Sequence, residues 1–74
     1  MEIEVRLFAT FRVGRWKSKR LSFEGEIRII DILDSLQIKK EELGMVLING
    51  AYSETDTKLK DGDIIAIFPP LAGG

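Results

Sequence analysis

The chain has 74 residues, eleven lysines and arginines against twelve aspartates and glutamates for a net charge of −1, and 45% hydrophobic residues. So even a balance argues against a general nucleic-acid binder, which carries a strong basic excess, and describes a small soluble domain that removes only about 60% of its unfolded surface from water. Cysteine and histidine are both absent, which excludes disulfides, thiolate or imidazole metal sites, thiol nucleophiles and the usual near-neutral general base.

The run from Glu2 to Phe8 alternates Ile3, Val5 and Leu7 with Glu2, Glu4, Arg6 and Phe8. A period of two specifies a strand with one face on a core. This charged opening is unlike a secretory signal, and no apolar run approaches the roughly 20 residues that span a bilayer. The expected location is cytoplasmic, with no membrane partner. The segment ATFRVGRWKSK reads as a basic loop around Gly14, and Arg20 to Phe23 as a second short strand, together a hairpin with a long turn. Five basic residues and Trp16 fall between Arg12 and Arg20. Such a mixture could stack and neutralise single-stranded nucleic acid, but no charge elsewhere supports it. The loop is read as solvated, or as an electrostatic docking edge for an acidic partner, and no nucleic-acid partner is expected.

After Gly25 the period changes. Ile29, Ile32, Leu33 and Leu36 fall at i, i+3, i+4 and i+7, with Asp31, Asp34, Ser35 and Gln37 on the other side, which predicts an amphipathic helix over Ile29 to Gln37. Arg28 stands where a Ser, Thr or Asp would cap the helix, so tertiary packing is expected to hold it. Lys39-Lys40 and Glu41-Glu42 read as a solvated connection. Met45 to Gly50 is a strand ending in Asn49-Gly50, a tight-turn signal. SETDTKLK is polar irregular structure anchored by Leu59. Asp61-Gly62-Asp63 places two carboxylates around a glycine; it reads as a turn, and no metal is expected. Ile64 to Phe68 is a strand rich in β-branched residues. Pro69 and Pro70 end it, because neither can donate to a ladder.

The order is strand, strand, helix, strand, room for one short strand, strand. It resembles the β-grasp, or ubiquitin-like, architecture: an α+β domain with a mixed sheet of four to five strands and one main helix on one face. The expectation is one domain over 1–74 with a flexible C-terminal tail over 69–74. If Ile3, Val5, Leu7, Val46, Ile48, Ile65 and Ile67 face that helix, then Phe8, Met45, Leu47, Ile64, Ala66 and Phe68 face away. A solvated antiparallel face should be polar, and these residues are not. Either the basic loop covers Phe8 and Phe68, or they fill a minor second core, or the patch binds a partner. The last is taken forward, with Phe68 foremost because it sits at the base of the tail.

That tail reads FPPLAGG. Pro69 and Pro70 stiffen its root toward polyproline geometry. Leu71 and Ala72 offer small apolar contacts, and Gly73 and Gly74, without Cβ atoms, can thread a channel too narrow for other residues. From Pro69 onward the chain reaches at most about 20 Å, enough to carry a main-chain carboxylate into another protein's active site. A frayed end is the plain alternative.

VRLFA, IIDILDSL, LING, LKDGDIIAIFPP and the final GG together resemble the ubiquitin-like sulfur carriers of the MoaD/ThiS group over nearly the whole chain. FPP before the tail is most similar to the small subunit of molybdopterin synthase. The resemblance implies a non-catalytic co-substrate. An adenylyltransferase of the ubiquitin-activating type would use ATP to adenylate Gly74, and a sulfur donor system would convert it to a thiocarboxylate. The large subunit of molybdopterin synthase would then receive the tail, with Gly73 as the second threading residue and the apolar face around Phe68 as the docking surface. No bound cofactor is implied. Sulfur carriage for the thiamine thiazole or a thiolated tRNA base, and ubiquitin-like conjugation to lysines, use the same activated carboxylate. The tail does not choose among them.

Overall fold

Alternating Ile3, Val5 and Leu7 build β1 (Glu2–Leu7), an inner strand of the sheet, in a computed structural model that describes residues 1–70. A 3₁₀ turn (Ala9–Arg12), β2 (Ser18–Ser22), α1 (Ile29–Ser35), a second 3₁₀ turn (Lys40–Glu42), β3 (Met45–Ile48), β4 (Ala51–Tyr52) and β5 (Ile64–Phe68) follow. The sheet order is β2-β1-β5-β3-β4, with β1 and β5 parallel and the other neighbours antiparallel. This is a β-grasp fold, a mixed sheet of five strands with one helix. Among the described residues no helix is long and apolar enough to cross a membrane.

The expected inward set forms the core. Ile3, Val5, Leu7, Val46, Ile65 and Ile67 are buried against Ile29, Ile32 and Leu33 of α1, Leu59 is buried as expected, and Ile48 is partly buried against them. Each fully buried aliphatic side chain contributes about 2–3 kcal/mol. Phe11, Ile27 and Ile38 also belong to this core. Sequence patterning passed over them because each sits singly, outside a periodic run.

Several boundaries move. The first strand ends at Leu7, since Ala9 takes a left-handed φ of 52° and turns the chain. The basic loop is partly regular: Ala9–Arg12 coils so that Phe11 reaches the core, and β2 begins at Ser18 and ends at Ser22 rather than running from Arg20 to Phe23. Ser18 and Lys19 lack apolar alternation and are strand because Arg6 and Val5 pair with them. Met45–Ile48 is shorter than the expected strand because Asn49 and Gly50 form the turn.

The helix is shorter and better capped than expected. It stops at Ser35, because Gln37 adopts a left-handed φ of 59°. The Ile38 N–H then donates to Leu33 O at 2.9 Å and the Gln37 N–H to Asp34 O at 3.1 Å. That is a Schellman motif, with buried Ile38 and Leu33 as its apolar contact. At the other end Arg28 supplies no side-chain cap. Neighbouring backbone does the work: Ile29 and Ile30 N–H groups donate to Thr57 O and Thr55 O at 3.1 and 2.9 Å. The Asp31 carboxylate reaches back to the Arg28 N–H at 2.8 Å, half of a capping box.

The DGD segment is a turn whose carboxylates are engaged by backbone donors. Asp61 Oδ1 accepts from the Glu2 N–H at 2.7 Å, and Asp63 Oδ2 from the Lys60 N–H at 2.8 Å. Asn49, at φ 50°, donates from Nδ2 to Asp63 Oδ1 and accepts the Ile64 N–H on Oδ1, both at 2.9 Å. One asparagine thereby ties the β3–β4 turn to the start of β5. Asn49→Ala removes both bonds and places a residue poorly suited to the left-handed region, an expected loss of about 2 kcal/mol. Urea denaturation at equilibrium checks this.

Candidate docking face and tail root

Strand register decides what the helix-free face of the sheet presents. Glu4 stands opposite Arg20 and Ile64, Arg6 opposite Ser18 and Ala66, Leu47 opposite Ala66 and Tyr52, and Met45 opposite Phe68. The face therefore divides. Over β2 and β1 it is charged, with Arg20 paired to Glu2 at 3.4 Å and Arg6 paired to Glu4. Over β5, β3 and β4 it is apolar. Phe8, Met45, Leu47, Ile64, Ala66 and Phe68 all lie on this face, each half-buried.

Phe8 and Phe68 come together at the top of the face. Their rings stack at 4.2 Å between centroids and 11° between planes, an arrangement that adds about 1 kcal/mol beyond area burial. The Phe8 N–H donates to Ile67 O at 3.2 Å, which holds the two aromatic residues level. Arg12 lies over the Phe8 ring at 5.1 Å and donates from Nε to Leu7 O at 2.6 Å. The basic loop thus covers part of Phe8 through a single side chain, and the rest of the apolar half stays at the surface.

The remainder of that loop serves the fold. Arg15 donates to Phe11 O at 3.2 Å and to Leu36 O at 3.0 Å, satisfying a carbonyl at the helix C-terminus. Trp16 packs against the core, so it is no open stacking platform. Sequence reasoning missed Tyr52. It is 79% exposed, and its pairing with Leu47 puts it on the apolar half of the face. A strand of two residues has no period to detect, and only the preceding Asn49-Gly50 signal points to a hairpin there. Along the same edge a groove of about 440 Å³ runs past Leu43, Gly44, Met45 and Tyr52, rimmed by Lys40 and Glu54.

Phe68 ends β5, and the chain leaves the sheet through Pro69 and Pro70 next to this groove. Neither proline has an N–H to extend the ladder; the last backbone bond at this corner runs from the Gly44 N–H to Phe68 O at 2.8 Å. The tail residues Leu71, Ala72, Gly73 and Gly74 lie outside the described residues. The described chain holds no grouping of three or more acidic residues placed to take a metal.

The ThiS family model matches residues 5–74. The chain belongs to the ThiS family. Small archaeal modifier protein 3 of Haloferax volcanii is 36% identical over the whole of both chains. The crystal structure of SAMP1 from Haloferax volcanii superposes with a TM-score of 0.77 at 27% identity, covering all of both chains. A chain from the complex of subunits 1 and 2 of molybdopterin-converting factor from Helicobacter pylori 26695 is 30% identical, again over all of both, with a TM-score of 0.66. The ThiS-family chain is thus one of the ubiquitin-like carriers and modifiers, small proteins that are not themselves enzymes. Its apolar half-face and the root of its tail meet at one residue, Phe68.

Proposed function

We propose that this ThiS-family chain carries sulfur on the main-chain carboxyl of Gly74 and delivers it for molybdopterin synthesis as the small subunit of molybdopterin synthase. A carboxylate oxygen of Gly74 attacks the α-phosphorus of ATP on an adenylyltransferase and pyrophosphate leaves. Hydrosulfide released by a donor system then attacks the acyl carbon and AMP leaves with the displaced oxygen, so that one oxygen is exchanged for sulfur. The chain supplies no near-neutral acid or base, having neither histidine nor cysteine; the catalytic groups belong to its partners. Its own part is to dock and to present the terminus.

The observation that carries this reading is the convergence of the apolar half-face on the Phe8–Phe68 stack, directly where the tail leaves the sheet. A partner seated on that face has the tail root at its edge. The likeness to a chain of a two-subunit molybdopterin-converting factor supports the choice of partner. A second reading is favoured by a separate observation, the 36% identity with a small archaeal modifier protein. There the same activated carboxyl would form an amide with a lysine amine of another protein.

Two products separate the readings. Thiocarboxylated chain mixed with the large subunit and cyclic pyranopterin monophosphate is expected to yield the dithiolene and return the chain as its carboxylate. No dithiolene, together with a ladder of lysine-linked adducts that survives denaturing electrophoresis, would replace the first reading with the second.

A further inference from the structure

Four glycines of the described chain, Gly14, Gly25, Gly50 and Gly62, have positive φ and open space where a Cβ would stand. They are there for conformation. Gly44 differs on both counts. Its φ is not positive, so a side chain would suit its backbone, but a Cβ on it would meet Pro69 O at 2.4 Å, Pro69 C at 2.5 Å and Pro70 N at 2.6 Å. The peptide bond between the two prolines lies directly on the Gly44 Cα.

From this contact we infer that Gly44 is a positioning residue for the tail: by lacking a side chain it sets the direction in which Pro69 and Pro70 leave the sheet. The inference rests on the activated-terminus reading above. Its physical basis is the backbone at this corner. The ladder stops at Phe68 because Pro69 and Pro70 have no N–H to give, and the Gly44 N–H bond to Phe68 O is its last tie. Beyond that bond, direction is set by the packing of the proline peptide on bare backbone. Both prolines have φ fixed near −65°, so an error at the root is passed along rather than absorbed. Placement errors of about 1 Å at a reacting centre can already cost on the order of a hundredfold in rate.

Gly44→Ala tests this. The added methyl overlaps main-chain atoms that must shift, and the main chain concerned lies past the last core residue, Ile67. The expected result is a melting temperature close to that of the native chain and an unchanged KM for the chain as substrate of its adenylyltransferase. The kcat for acyl-adenylate formation should fall by about ten- to a hundredfold. Adding Pro69→Gly and Pro70→Gly to Gly44→Ala relaxes the root and should restore a substantial part of that kcat, which a general loss of packing would not allow. An unchanged kcat in Gly44→Ala overturns the inference. So does a rise in KM alone, which would make Gly44 a docking residue, and so does failure of the glycine substitutions to rescue. Should Gly44→Ala unfold, the triple variant still decides: if it too is unfolded, Gly44 serves the fold and the inference fails. A native chain that is never adenylated would instead sink the proposed function itself, so the two failures are told apart by the native control.

Discussion

Deleting Gly74 is expected to abolish thiocarboxylate formation while leaving the fold as stable as before. The variant still ends in a glycine carboxylate, so the chemical group is preserved and only its position changes. One residue fewer withdraws that group by about 3.5 Å, whereas reaction requires approach to about 3–3.5 Å in the right orientation. A loss of at least about a thousandfold follows from the steepness of that requirement. Stability is a separate matter. The buried core runs from Ile3 to Ile67, so the melting temperature should stay within about 2 °C, the shift that a few tenths of a kcal/mol would cause in a domain of this size. Intact-mass analysis of the reaction together with calorimetry of the variant makes both readings. A large drop in melting temperature would mean that the last residue holds the fold together.

The second large effect falls on Phe68. Its ring stacks on Phe8 and its neighbour across the ladder is Met45, so Phe68→Ala opens the apolar half-face at the point where the tail begins. Aromatic anchors near the centre of an interface commonly lose 2 kcal/mol or more when truncated, about thirtyfold or more in affinity. The stack contributes about 1 kcal/mol to folding and the burial of a half-buried ring about 1 kcal/mol more, so the melting temperature should drop by roughly 8–16 °C. Titration calorimetry with the large subunit, at a temperature where the variant remains folded, checks the binding. Arg20→Ala, in the charged half, is the control and should change affinity little, since exposed ion pairs are worth at most about 1 kcal/mol. Equal affinities for the native chain and Phe68→Ala would move the docking surface elsewhere.

Much of this arrangement was legible in the residues. The alternation in β1 and β5 announces both faces of the sheet at once, because a pleated strand sends successive side chains opposite ways. Hence the inward residues Ile3, Val5, Leu7, Ile65 and Ile67 and the outward residues Phe8, Ile64, Ala66 and Phe68 follow from one pattern. The helix was legible for the same kind of reason, through the i, i+3, i+4 spacing of Ile29, Ile32 and Leu33. Its end was not. A Schellman turn usually carries glycine at the left-handed position; here Gln37 occupies it, and nothing in a glutamine marks a stop. The cap at Arg28 was illegible as well, since the acceptors are main-chain carbonyls of Thr55 and Thr57, distant in sequence and independent of side-chain identity.

The candidate site shows the same division. Phe68 and Phe8 could be placed on one face by counting, but the stack between them depends on parallel pairing of β1 with β5, a long-range fact. Tyr52 escaped because two residues show no period. Arg15 looked like one more charge in a basic loop, and its two bonds to carbonyls appear only once the loop is folded against the end of α1. Gly44 drew no reading from the sequence, since it has no side chain and falls in no motif. Only the fold brings the proline peptide onto its Cα.

The central claim is that the carboxyl of Gly74 becomes an acyl-sulfur species. Intact-mass spectrometry after incubation with the cognate adenylyltransferase, ATP and a sulfur donor tests it most directly. The expected spectrum shows the chain heavier by the difference between one sulfur and one oxygen, with fragment ions assigning the change to the C-terminal residue. A chain of unchanged mass under conditions that convert another ThiS-family protein would contradict the account.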